Sequence, residues 1–180
     1  MVLFLLVVKA ELEGVSEASL VRDANLCISI RNPLSDYEIR EKVVLNPSEF
    51  VEQQENSKEP PCHFTIKWEG SKKRSTIQVL DDAAIKSALK KKNKKGKSND
   101  ESMPRSLTVS GEFVPILALE CRGVEPYAFH CLGNEFAVIS EGGAKFDEDV
   151  DLSDGDWGDY DAEHDASVSI SEFEAKFISA

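Results

Sequence analysis

The sequence predicts an all-β protein, sandwich- or barrel-like, built from antiparallel strands and hairpins with at most one or two short helices. Three observations carry the prediction. Runs rich in branched and aromatic residues dominate the chain, as in Val2 to Leu12. Alternation of the strand type is visible in Leu26-Cys-Ile-Ser-Ile30. Strong breakers close these runs, among them Gly14, Asn32-Pro33 and Asn46-Pro47.

Taken in order, Val2 to Leu12 forms a buried first strand that Gly14 ends. Leu26 to Ile30 is the next strand, and Tyr37 to Leu45 resumes strand character after Asn32-Pro33. Residues 46–61 are polar, contain Pro60-Pro61, and read as a loop. His63 to Trp68 and Ser75 to Leu80 flank Glu69-Gly70-Ser71 as a hairpin. Asp81-Asp82 precedes a short helix over 83–89. Leu107 to Val109, Phe113-Val114 and Ile116 to Cys121 are strands, with Gly123 and Pro126 marking a turn. The last strand, Val168 to Phe177, slips its alternation between Ile170 and Phe173, which predicts a bulge.

A chain of 180 residues is large enough to fold without a staple, burying about 70% of the surface its unfolded form exposes. It reads as one all-β domain over 1–180. Within it, two pseudo-repeated halves, 1–82 and 105–180, joined by a Lys-rich flexible loop at 86–104, are a second reading. An echo between Glu11-Leu-Glu-Gly-Val15 and Glu120-Cys-Arg-Gly-Val124 supports the second, and both stay open. The net charge of −12 argues against a nucleic-acid partner and favours a basic or neutral protein partner. The apolar start, Met1 to Val8, lacks a basic leader and is too short to span a bilayer, so no membrane is expected. Cys27, Cys62, Cys121 and Cys131 have long, irregular spacings and read as reduced thiols. The location expected is cytoplasmic. The six lysines of Lys90–Lys97 read as a solvated insertion or as a nuclear-localisation signal, which leaves a nuclear pool open.

Motifs for catalysis are missing, and no enzyme is expected. His130 and Cys131 are adjacent, so on a strand they would face opposite ways. Gly96-Lys97-Ser98 has Lys91 where a phosphate loop needs its first glycine. The acidic segment Asp147 to Asp165 holds ten carboxylates, but no glycine stands at the sixth position from any plausible first Asp, as a calcium loop requires.

Three stretches, Val8-Lys-Ala-Glu-Leu12, Leu119-Glu-Cys-Arg-Gly-Val-Glu-Pro126 and Asp156-Trp-Gly-Asp-Tyr-Asp161, in this order and spacing, resemble the eukaryotic CXXC-motif-containing zinc-binding protein family, whose function is unassigned. That resemblance implies an all-β fold and one structural zinc held by two Cys-x-x-Cys pairs on neighbouring hairpin tips. Here the implied ligand positions carry Arg31, Leu34, Trp68 and Ser71, so the metal site is expected to be vestigial and no cofactor is expected. Leu34 and Trp68 are expected to pack across the gap instead. A relocated site built on Cys27, Cys62 and His63 lacks a fourth ligand.

Among the best-matching residues, Arg122 and Glu125 are expected to pair across their turn, with Trp157 and Tyr160 as core or interface aromatics. Alternatively, Arg122, Glu125, Trp157, Asp159 and Tyr160 line a shared binding surface. The function expected is a non-catalytic interaction or scaffold protein with an unidentified protein partner, homo-oligomers being open. The alternatives are metal handling through a relocated site using Cys62, His63 or the acidic loop, and an unrecognised enzyme.

Overall fold

The computed structural model describes residues 2–21, 23–52, 61–81, 83–85, 87 and 106–179. The Lys90–Lys97 run and all of the 86–104 loop but residue 87 lie outside them, and of the expected 83–89 helix the described residues, 83–85 and 87, are helical.

In chain order the strands are β1 (Val2–Glu13), β2 (Val15–Leu20), β3 (Leu26–Asn32), β4 (Ser35–Leu45), β5 (Phe64–Ile66), β6 (Ser75–Val79), β7 (Ser106–Leu107), β8 (Val114–Arg122), β9 (Glu125–His130), β10 (Phe136–Ser140), β11 (Lys145–Phe146), β12 (Trp157–Asp161) and β13 (Ala166–Ser179). They form three antiparallel sheets, ordered β12-β13-β1-β8-β6-β5, β11-β10-β2-β7 and β4-β3-β9. The fold is all-β, as the sequence predicts.

The apolar run at the start explains the centre of the large sheet. β1 lies between β13 and β8, and Leu3, Phe4, Leu6, Val7, Val8 and Ala10 are all buried. A strand covered on both faces needs a continuous apolar run, which is what this segment supplies. Each such side chain larger than alanine contributes about 1.5–3 kcal/mol relative to exposure. Leu6, Val8 and Ala10 join Phe136, Val138, Val168 and Ile170 in one core beneath the β2–β10 sheet. Phe4 joins Ile28, Ile30, Ile77, Leu119 and Trp68 in a second core beneath the β3–β4 sheet.

The expected bulge is present. Glu172 has φ +52°, and the β1–β13 register shifts opposite Lys9 and Glu11. Phe173 thereby returns to the core side and meets Phe136 edge-on at 5.4 Å.

Elsewhere the strands differ from expectation for local reasons. Phe113-Val114 and Ile116 to Cys121 are not two strands, because β8 runs through Pro115. A register shift against β1 at Leu6/Val7 accommodates it, and the β6 pairing begins only at Leu119, so the missing N–H costs no ladder bond. Gly123 alone makes the turn, while Pro126 lies inside β9, a sheet edge, opposite Ile30. β2, β9, β10, β11 and β12 add strands where none was expected.

The topology has a two-fold correspondence. Equating β1 to β6 with β8 to β13, skipping β7, by way of β1–β2 with β8–β9, β3–β4 with β10–β11 and β5–β6 with β12–β13, leaves the six-strand order unchanged when it is read backwards. The echoed glycines occupy equivalent turns, Gly14 between β1 and β2 (φ +67°) and Gly123 between β8 and β9 (φ +69°).

At Gly14 both conformation and space are restrictive, since the Ser167 carbonyl oxygen stands where a Cβ would go. Gly14→Ala should cost about 2 kcal/mol or more, lowering the melting temperature by roughly 4–8 °C in thermal unfolding. Gly143→Ala, also at positive φ (+94°) but facing open space, should lose less.

Candidate functional site

The β3–β4 hairpin turns through Asn32-Pro33-Leu34, where the Leu34 N–H donates to Asn32 Oδ1 at 3.0 Å, a side-chain-closed turn. The β5–β6 hairpin turns through Trp68-Glu69-Gly70-Ser71, closed by Ser71 N–H to Trp68 O at 3.1 Å, with Gly70 at φ +76°. These two tips and the Arg122-Gly123 turn line one cleft of about 630 Å³.

Polar contacts bind the three segments together. The Glu38 carboxylate on β4 bridges the tips: Oε1 accepts from Asn32 Nδ2 and Oε2 from the Glu69 N–H, each at 3.1 Å. Trp68, 4% exposed, donates its indole N–H to the Gly123 carbonyl at 2.9 Å. That carbonyl also accepts the Ser75 hydroxyl at 2.9 Å. Gly123 is required here, because a Cβ would stand 2.5 Å from Ser75 Oγ. Arg31 grips Glu125 through two bonds, Nη2 at 2.9 Å and Nε at 3.2 Å, fixing β3 to β9.

Two expectations are corrected. Leu34 is 94% exposed and does not pack on Trp68, so the link between tips is polar. Arg122 and Glu125 do not pair. β8 continues through Arg122, placing it on the same face as Glu120, which it meets at 3.1 Å, while Glu125 lies opposite Arg31.

The tip residues do not fit zinc. Arg31 is a cation already engaged with Glu125, Leu34 and the Trp68 indole offer no lone pair, and the Ser71 hydroxyl donates to Lys73 O. His63 is equally spent. Its Nδ1 accepts from the Val79 N–H at 2.9 Å, so Nε2 carries the proton and donates to Pro47 O at 2.9 Å. Among the described residues, no group of three or more His, Cys, Asp or Glu converges to hold a metal.

A second cleft, about 400 Å³, is lined by Cys27, Lys42, His130 and Cys131 among others. β9 ends at His130, so the strand alternation does not part the last two, and both reach this cleft. Ser29 Oγ meets His130 Nε2 at 2.7 Å but is buried and also accepts the Lys42 N–H. Burial raises both thiols, Cys131 to about 12 with help from Glu135 and Asp151. Such thiols stay protonated at neutral pH and make poor nucleophiles.

Trp157, Asp159 and Tyr160 lie elsewhere. Trp157 stands level with Leu12 across β13, whereas Arg122 follows Cys121, the partner of Val2. Ten residues of β1 separate the two levels, roughly 30 Å along the strand. The structure therefore does not bring the five residues onto one surface. Trp157 is half-buried edge-on against Phe146 at 5.6 Å, while Asp159 and Tyr160 are exposed.

Trp68→Phe keeps the ring but strands the Gly123 carbonyl with one donor, and should cost about 1 kcal/mol; Trp68→Ala should cost about 3–5 kcal/mol, both read by denaturant unfolding. Burial pulls the His63 pKa below its ordinary value, so the unfolded chain takes up the proton first. Stability is therefore full above about pH 6.5 and falls as the pH drops below it. Melting curves from pH 7.5 to 5 should show that fall, and His63→Gln should flatten it.

The sequence profile described as "CXXC motif containing zinc binding protein, eukaryotic" matches residues 5–178. UPF0587 protein CG4646 of Drosophila melanogaster is 32% identical over 126 residues, 70% of this chain and 66% of the fly protein. The human CXXC motif containing zinc binding protein is 38% identical over 66 residues, 37% of this chain and 41% of the human one. The matched stretches thus span two thirds or less of these relatives. In three dimensions, a hypothetical protein from Plasmodium falciparum superposes with TM-score 0.77 and 26% identity, covering 99% of this chain and 100% of that one. A crystal structure of C1orf123 gives 0.75 at 22% identity, covering 99% of each, a likeness of fold alone. The chain belongs to the eukaryotic CXXC motif containing zinc binding protein family.

Proposed function

We propose that this chain is a non-catalytic binding module whose hairpin tips are held together without metal. The observation that carries this reading is the Glu38 bridge: one carboxylate ties both tips where the family resemblance implies zinc. The cysteine spacing supports it, since 27, 62, 121 and 131 include no Cys-x-x-Cys pair. Against a relocated metal site stands the engagement of both His63 nitrogens. Against nucleophilic catalysis stand the raised thiols and the buried Ser29 hydroxyl.

What remains at the tips is a shaped, solvent-open cleft on a braced scaffold, which suits docking rather than chemistry. Elemental analysis of native protein made in zinc-supplemented medium should find well under one zinc per chain. Affinity capture from the protein's own cells should return the same partners with and without a strong chelator. Stoichiometric zinc, or partners lost on chelation, would overturn the proposal.

A further inference from the structure

We propose that the cleft between the hairpin tips docks an extended, carboxylate-bearing segment of a partner protein. This deepens the binding-module reading and rests on it. The chain as a whole carries a charge of −12, yet the cleft lining reverses that sign: Lys73, Arg74 and Arg122 stand against Glu69 alone. The net charge suggested a basic or neutral partner, but a ligand in contact with the cleft meets the local charges first, within a Debye length of about 8 Å.

The cations differ in how they are held. Arg122 is tied to Glu120. Lys73 and Arg74 are exposed and have no ion-pair partner among the described residues, so their donors are open to an incoming carboxylate. A guanidinium takes a carboxylate through two parallel bonds, which favours Asp and Glu side chains. On the opposite lip, Leu34 holds an aliphatic side chain 94% exposed on the closed Asn32 turn, a fixed apolar contact beside the charges. The volume, about 630 Å³, is that of a ligand site, and it is bounded by hairpin tips rather than enclosed, which suits an extended chain. A nucleic acid is disfavoured, because its phosphates would extend past three cations onto an acidic surface.

The test is fluorescence anisotropy with a labelled eight-residue Asp/Glu peptide carrying a central leucine. The comparison probes are its Lys/Arg counterpart and a single-stranded oligonucleotide. The acidic peptide should bind saturably and weaken with salt, and the other two should not bind. The double variant Lys73→Glu, Arg74→Glu should weaken it at least tenfold with an unchanged melting temperature, both side chains being exposed. Leu34→Ser should weaken it several-fold. No binding at millimolar peptide, binding indifferent to both variants, or a tighter oligonucleotide would overturn the proposal. So would sedimentation showing a dimer that the Lys73→Glu, Arg74→Glu variant dissociates, which would make a second copy the occupant. Zinc content measured on the same samples separates the two readings: zinc-free protein that ignores the peptide defeats only the docking, and zinc-loaded protein defeats the metal-free tips.

Discussion

A carboxylate shared between two hairpin tips is the constraint on which this end of the molecule depends. β5 is the free edge of the six-stranded sheet and reaches it only through β6, and β3–β4 belongs to a different sheet. Nothing in strand pairing joins the tips. Glu38 does so by accepting from Asn32 on one and the Glu69 amide on the other. Once the tips are fixed, the Trp68 ring closes the core of Phe4, Ile30 and Ile77, and its indole N–H finds the Gly123 carbonyl. A buried indole without that acceptor would carry an unpaid desolvation cost, so the core and the polar bridge depend on each other.

The opposite end repeats the device with other residues. Under the two-fold correspondence, the equivalent tips are the β10–β11 and β12–β13 turns. Asp161 joins them, accepting from Ser140 Oγ at 2.9 Å and from His164 Nδ1 at 2.9 Å. The His164 ring lies against Gly142, where a Cβ would stand 2.5 Å from it. Burial pushes the Asp161 carboxyl up, but the bonds from Ser140 and His164 outweigh it and hold it below its ordinary value. Carboxylates thus brace both ends, with different donors. The acidic 147–165 segment reads accordingly: at least one of its many acids is structural, and it need not be a cation loop.

Local pattern revealed what is local. The unbroken apolar start marked the central strand, the slipped alternation marked the Glu172 bulge, and Asn32-Pro33 and Gly70 marked the two tips. Residues distant in sequence defeated it. Glu38 and Glu69 are 31 positions apart, and Trp68 and Gly123 are 55, so no spacing rule links them. Leu34 and Trp68 looked like a matched apolar pair because both are large and hydrophobic. One is closed into the core, and the other is turned outward by its own Asx turn. Arg122 and Glu125 looked like partners across the Gly123 turn, but each finds a nearer mate along or across its own strand, Arg122 in Glu120 and Glu125 in Arg31. Pro126 read as a turn because a proline inside a strand is tolerated only where no ladder bond is lost, a fact of the sheet edge.

The most direct measurement is amide and indole hydrogen exchange at Glu69 and Trp68, followed by NMR with and without a strong chelator. If Glu38 and Gly123 are the acceptors, both protons stay protected in the chelator, and both lose protection in a Glu38→Ala variant, the Glu69 amide the more. Protection that vanishes on chelation and ignores Glu38 would mean that a metal holds the tips.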